Sequence, residues 1–279
     1  AAAAVGSSRV EKILWQRTGA DGEEYLVKQR GKSYMHCAWL PEQEVAGEAG
    51  GPARLKRWAK TWEMQQAAVH VDEAPDGPTE KEPFPPEWVQ VDRVVAEREA
   101  FSGGMEFLIK WRQLAYDEAT WEAEEAVEDD EKVAEFRRIQ QPPADERFYK
   151  SNKGRRAVRP YEKQLVSPEY RAGNTLREYQ LGGLNWLSQC WHNGNNSVLA
   201  DEMGLGKTVQ TVAFLNYLHE VHGVWGPFLV VAPLSTLGHW QREVEAWTSM
   251  NVIVYHGNAA ARAMIREWEW HFDADRGGR

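Results

Sequence analysis

The sixteen residues EYLVKQRGKSYMHCAW at positions 24–39 return as EFLIKWRQLAYDEATW at positions 106–121. Six of the sixteen pairs are identical, Tyr34/Tyr116 and Trp39/Trp121 among them. Upstream, Val10-Glu11-Lys12-Ile13-Leu14 returns as Val91-Asp92-Arg93-Val94-Val95, at a shift of 81 instead of 82. The one extra residue falls in a polar loop, 20–23 against 102–105. Surface loops tolerate such an insertion, so the first half of the chain reads as a duplicated unit. Each copy predicts short strands closed by a Trp. A helix follows each. Leu55, Trp58, Trp62 and Val69 recur at helical spacing over 53–70, and Val133, Phe136 and Ile139 recur after the second copy. The acidic, Pro-rich stretch VDEAPDGPTEKEPFP separates the copies as a linker.

A length of 279 residues suggests about two domains. Hydrophobic residues make up 42% and charged residues 27%, which excludes disordered, collagen-like and membrane classes. No apolar run approaches the ~18 residues of a membrane helix. Residues 1–8 lack the basic start and apolar core of a secretory signal. The first residue is Ala, and both ends look like cuts in a longer chain. The net charge of -9 excludes a chain-wide basic footprint, so any nucleic-acid site is a local patch. Cys37 and Cys190 have neither metal spacing nor a disulfide framework, which points to a reducing compartment.

The second half changes character. A short apolar strand is predicted over 196–200. Asp201-Glu202-Met203-Gly204-Leu205-Gly206-Lys207-Thr208 follows, and Val209, Val212, Ala213, Leu215 and Leu218 then run at helical spacing. Strand, Gly-rich turn and helix are the setting of a phosphate-binding loop. Glycines let backbone N–H groups face phosphate oxygens, and the helix N-terminus adds the positive end of its dipole. Lys207 then reaches the β- and γ-phosphates of a nucleotide, and the Thr208 hydroxyl holds Mg2+. Asp201 stands where the strict pattern has its first Gly. Further strands are predicted over 228–232 and 252–255, with helices after each, giving a parallel sheet covered on both faces.

These residues reach known families. YLVKQRGKSYMHCAW and FLIKWRQLAYDEATWEAEE resemble chromodomains, and the pair resembles the tandem chromodomains of chromatin remodellers. The resemblance implies three-stranded sheets with a C-terminal helix, and many such domains read methylated lysine in an aromatic cage. The three cage positions fall at Ser8, Gln29 and Lys32 in the first copy, which has no aromatic there. In the second they fall at Val89, Trp111 and Leu114, with Trp88 one place off. Trp88 and Trp111 are the candidate histone-peptide contacts, and packing is the competing reading for Trp111. The stretch around Gln180 resembles the Gln motif of Snf2-type ATPases, whose Gln holds adenine through both ends of its amide. APLSTLGHWQREVEAW at 232–247 resembles their motif Ia. Its Ser235 and Thr236 either bond DNA phosphates or merely start a helix.

Together with MNVIVYHGNAAARAMIREWE, the chain resembles chromodomain–helicase–DNA-binding remodellers, and within them the Mi-2 or PICKLE-like branch. The implied layout is a disordered tail at 1–8, a first chromodomain with its helix at 9–70, a linker at 71–86 and a second chromodomain at 87–141. A basic bridge at 142–175 and a truncated RecA-like ATPase lobe at 176–279 follow. The implied function is ATP-dependent movement of nucleosomes in the nucleus. The implied partners are nucleosomal DNA, a histone tail and other subunits of a remodelling complex, with no membrane. The expected nucleotide site comprises Gln180, Asp201, Glu202, Met203, Gly204, Leu205, Gly206, Lys207 and Thr208, with Lys207 and Thr208 as the catalytic pair.

The family's Asp-Glu-Ala-His box and its second lobe with an arginine finger do not occur in these residues. Hydrolysis needs that carboxylate and that Arg, so appreciable turnover by this chain alone is not expected. A nucleotide-binding chromatin reader that does not hydrolyse ATP is the alternative reading. An unrelated P-loop ATPase is a third, and the duplicated chromodomains argue against it. Charge is uneven. Residues 117–135 hold ten acidic side chains against Lys132, a solvated helix face or a surface that competes with DNA. Residues 147–171 hold eight basic ones, Arg155 and Arg156 among them, a candidate DNA-contacting bridge.

Overall fold

The computed structural model describes residues 8–19, 22–69, 82–101, 103–141 and 160–271. The tail at 1–7, most of the linker and most of the basic bridge, with Arg155 and Arg156, lie outside the described residues. The chain divides into two compact units. One comprises residues 1–141 together with 256–279, and the other residues 142–255.

The first unit carries the duplication as two matching sheets. In the first copy β1 (Val10–Gly19), β2 (Gly22–Gln29) and β3 (Ala38–Pro41) form an antiparallel sheet in the order β1-β2-β3. In the second, β4 (Val91–Glu99), β5 (Met105–Trp111) and β6 (Thr120–Ala123) repeat that order. The duplication extends to irregularities. β1 slips register between Val10 and Lys12 and between Ile13 and Trp15, and β4 slips between Val91 and Arg93 and between Val94 and Ala96. Two bulges so close together break strict alternation. Val94, Val95 and Ala96 are consequently all buried in succession. A 3-10 turn joins the last two strands of each sheet, at Tyr34–His36 and Tyr116–Glu118, and its Tyr is buried in both copies.

Each sheet is closed by helices. In the first copy α1 (Glu42–Gly47) and α2 (Gly51–Val69) follow β3, and Val45, Leu55 and Trp58 pack with Val10, Ile13, Tyr25 and Val27. In the second, α3 (Asp130–Gln140) lays Val133 and Phe136 on Val94, Phe107 and Ile109. Asp129 caps α3, its carboxylate accepting the Lys132 N–H at 3.1 Å. Acidic residues open that helix and Arg137 and Arg138 close it, matching the sign of its dipole at both ends.

The second unit contains α4 (Glu178–His192), α5 (Lys207–His222) and α6 (Leu237–Trp247). Leu176 and Leu184 pack there against Ala213, Tyr217 and Leu218. The expected parallel sheet is corrected. None of the segments 196–200, 228–232 and 252–255 is a strand, and the only sheets among the described residues are the two of the first unit. Val198, Leu229 and Val231 are 81%, 88% and 87% exposed. A parallel strand hides its apolar side chains only when strands flank it and helices cover it, and these runs lack flanking strands among the described residues.

The helix expected after 255 is α7 (Ala259–Trp268). It packs in the first unit, although 176–279 was expected to be one lobe.

Candidate nucleotide-binding loop and chromodomain aromatic sites

α5 begins where the Gly-rich stretch ends. Gly206 is its N-cap in the left-handed region, φ 74°, and Gly204 lies at φ 86°. L residues with a Cβ resist that backbone, so the two glycines allow the loop to turn back over the helix start. A Cβ on Gly206 would also meet Gln180 Nε2 at 2.6 Å. The first N–H groups of α5 have no partner within the helix and carry the positive end of its dipole. Met203 is 95% exposed, so the outer side of the loop is open.

Three side chains hold the loop. Lys207 Nζ donates to the carbonyls of Asp201 at 2.7 Å and Glu202 at 2.9 Å. Gln180 is buried on α4. Its Oε1 accepts the Arg177 N–H at 3.0 Å, and its Nε2 donates to the Leu205 carbonyl at 3.4 Å. Both ends of the amide expected to hold adenine are therefore bonded to backbone. Gln210, which sequence reasoning passed over, is 0% exposed, and its Nε2 donates to Asp201 Oδ2 at 2.9 Å. A Gln within an apolar helical pattern was the available signal. It also gives a task to Asp201, the departure from the strict loop pattern. Thr208 is half-buried in the first turn of α5. At the start of α6, Ser235 is exposed and the Thr236 hydroxyl donates to the Pro233 carbonyl at 2.9 Å.

The donors suit a nucleotide's phosphates: two turn-forming glycines, a helix N-terminus and an ammonium at one loop. Lys207 now bonds loop carbonyls, and a phosphate offers that ammonium stronger, charged acceptors. Among the described residues no group of three or more His, Cys, Asp or Glu side chains is placed to hold a metal ion.

The candidate aromatic pair does not form a cage. Trp111 is 1% exposed and lies in the core of the second copy. On β5, Phe107, Ile109 and Trp111 alternate toward that core, as a period of two dictates. Trp111 Nε1 donates to Thr120 Oγ1 at 3.0 Å, and that hydroxyl donates to Glu122 Oε1 at 2.6 Å. The ring edge is thereby fixed inward, and no ring face is left for a peptide. The alternation was readable. The first copy has Gln29 at the corresponding place, half-buried at the sheet's rim. Trp88 sits in a 3-10 turn, Pro86–Val89, with its ring 4.7 Å from that of Tyr34 and 6.3 Å from that of Phe84. Ser8 is buried and hydrogen-bonds Glu48, Lys32 is exposed, and Leu114 packs on the second core.

The copies meet through charged side chains. Lys28, 3% exposed, pairs with Glu11 at 3.0 Å and with Glu118 of the second copy at 3.9 Å. His36 Nε2 lies 2.6 Å from Glu122 Oε2. Both cysteines are free thiols. Burial pushes the Cys37 thiol up to about 11 from 9.0, against the pull of Lys28 and Lys12. At pH 8 its thiolate fraction, and hence its alkylation by iodoacetamide, should fall about 100-fold below that of an ordinary thiol. Peptide mapping after timed alkylation measures this, and modification of Cys37 at the rate of free cysteine would contradict it.

Residues 9–65 and 89–138 match the Chromo (chromatin organisation modifier) domain, and residues 179–275 match the SNF2-related domain. The chain is 40% identical over 277 residues to chromodomain-helicase-DNA-binding protein 8 of Mus musculus, covering 96% of this chain and 10% of that protein. It is 40% identical over 286 residues to protein 9 of that name from Homo sapiens, covering 96% of this chain and 9% of the relative. For protein 6 of Mus musculus the identity is 40% over 274 residues, 93% of this chain and 10% of the relative. The chain thus spans about a tenth of the length of these relatives.

Proposed function

From a chain of chromodomain–helicase–DNA-binding type, with two chromo domains followed by an SNF2-related domain, we infer the nucleotide-binding part of a DNA-dependent ATPase that remodels chromatin. ATP with Mg2+ is its cofactor, nucleosomal DNA its substrate, and the nucleus its place of work. The observation that carries this reading is the loop itself: Gly204 and Gly206 in the left-handed region, Lys207 at the first position of α5, and the helix N-terminus behind them. Lys207 and the first N–H groups of α5 hold the phosphates, and Thr208 holds the metal. When bound, the nucleotide supplies the phosphoryl group whose hydrolysis drives movement along DNA. Gln180 links α4 to this loop, so adenine recognition by its amide requires it to exchange a backbone bond for one to the base. Ser235, exposed at the start of α6, is the proposed phosphate contact to DNA, with Arg155 and Arg156 as a second, basic contact. The two chromo domains contact histone tail or nucleosomal DNA through surfaces other than a Trp88–Trp111 cage.

The test is equilibrium binding of Mg-ATP to the whole chain, with Lys207→Ala beside it. A charged hydrogen bond to phosphate contributes about 1.5–3 kcal/mol, so the variant should bind about 10- to 100-fold more weakly. Circular dichroism checks that α5 is retained. No binding by the unaltered chain at millimolar ATP, or equal binding by the variant, would refute the assignment.

A further inference from the structure

One surface occurs in both chromo copies, and in both it is covered by another segment of the chain. Its invariant parts correspond residue by residue. An acidic residue on the first strand pairs with the lysine of the second: Lys28 with Glu11 at 3.0 Å, and Lys110 with Asp92 at 2.9 Å. The same lysine stands over the Tyr of the 3-10 turn, at 5.3 Å for Tyr34 and 5.7 Å for Tyr116. An Arg covers the Trp of the third strand, Arg17 on Trp39 at 4.0 Å and Arg98 on Trp121 at 3.9 Å. A further cation, Lys12 or Arg93, follows the acidic residue.

The covering segments differ. On the first copy, Phe84 and Trp88 lie on Tyr34 at 5.1 and 4.7 Å, and Lys12 Nζ stands 5.5 Å from the Trp88 ring. On the second copy the cover is α7. Glu269 Oε1 accepts from the Tyr116 hydroxyl at 2.8 Å and pairs with Arg93 Nε at 3.1 Å. Only 7% of the Glu269 side chain is exposed. The Trp268 ring meets Trp121 edge-on at 5.9 Å. Asn258, which caps α7 by accepting the Ala261 N–H, donates its Nδ2 to Asp117 Oδ2 at 2.7 Å. Burial alone lowers the affinity of the Arg93 guanidinium for its proton, and the Glu269 carboxylate, with Tyr116 and Asp92, reverses the sign.

We propose that this repeated face is a docking surface for aromatic chain segments, and that in the second copy its ligand is the Trp268–Glu269 pair at the end of α7. The chemistry is specific. Trp121 supplies an aromatic neighbour, Tyr116 supplies a hydroxyl donor, and Arg93 supplies an opposite charge to one carboxylate. Lys12 in place of Arg93 suits the first copy to an aromatic face instead. The dock belongs to α7 and is separate from the core of the second copy, which β4, β5, Val127 and α3 supply.

Amide hydrogen exchange of the whole chain tests this, comparing the unaltered protein with Trp268→Ala/Glu269→Ala. Amides of 116–121 and 259–268 should exchange at least ~10-fold faster in the variant, as a locally opened element does, while β1–β3 and α5 keep their protection. A synthetic peptide of residues 256–271, added to the variant, should restore protection at 116–121. Unchanged exchange at 116–121, or loss spread over all of β4–β6, would overturn the dock. Failure of the peptide to protect 116–121 would overturn recognition of the pair.

Discussion

Trp111→Ala should unfold the second chromo domain instead of merely weakening a surface. Its ring is 1% exposed among Phe107, Ile109 and Phe136, and its N–H has a buried partner in Thr120. Removing a buried Trp costs about 3–5 kcal/mol, comparable with the whole stability of a small domain. It also strands the Thr120 hydroxyl without its donor. Trp111→Phe keeps most of the volume and should cost only about 1–2 kcal/mol, chiefly for the lost hydrogen bond. Urea titration followed by exchange of the β4–β6 amides separates the two. A Trp that served as one wall of a surface cage could be removed with little loss of fold, so undiminished protection in Trp111→Ala would return it to the surface.

The second large effect is expected at Gly183. A Cβ there would lie 1.7 Å from Gln210 Oε1 and 2.9 Å from its Cδ. An exposed amide would swing aside. Gln210 is 0% exposed, and its other amide atom is bonded to Asp201 Oδ2. Gly183→Ala must therefore part α4 from α5 or break the bond that steadies the loop. A loss of about 2–4 kcal/mol is expected, the range of overpacking with a broken buried hydrogen bond. Gln210→Ala alone should cost about 1–3 kcal/mol. Because the clash is with the side chain that the second change deletes, the double variant should be more stable than the sum predicts. Thermal unfolding of the four proteins gives the coupling. Strict additivity would mean that the helices do not meet at this pair.

The duplication was legible because it rests on order and spacing, which a sequence displays directly. The two sheets and the helices α2 and α3 fell where those spacings placed them, whereas the bulges and the short α1 left no signal in the spacing. The turn around Gly204 and Gly206 was legible for a similar reason, since few backbones other than a tight turn require glycine at alternate positions. The three apolar runs of the second unit were not. Their composition is that of buried strands, but a strand is defined by its neighbour, and composition carries no record of pairing. For Trp111 the family pattern offered a cage and packing was the competing reading; the alternation Phe107, Ile109, Trp111, present in the letters, favoured packing, and the core holds the ring. α7 was expected from its periodicity, but periodicity tells only that one face is covered. That Trp268 and Glu269 meet Trp121, Tyr116 and Arg93 is long-range information, and no local reading supplies it.

The paired register slips have a consequence for life at high concentration. In both sheets the slipped strand, β1 or β4, is an edge, with one row of N–H and C=O groups unclaimed by the sheet. A straight edge of this length is a template on which another chain can add a strand, the first step toward aggregation. Two bulges within a few residues twist that edge out of line, and the charged Lys12 and Arg93 fall at the slips themselves. A fault of pairing, copied with the domain, thus gives each of the two sheets an edge poorly shaped to accept a further strand.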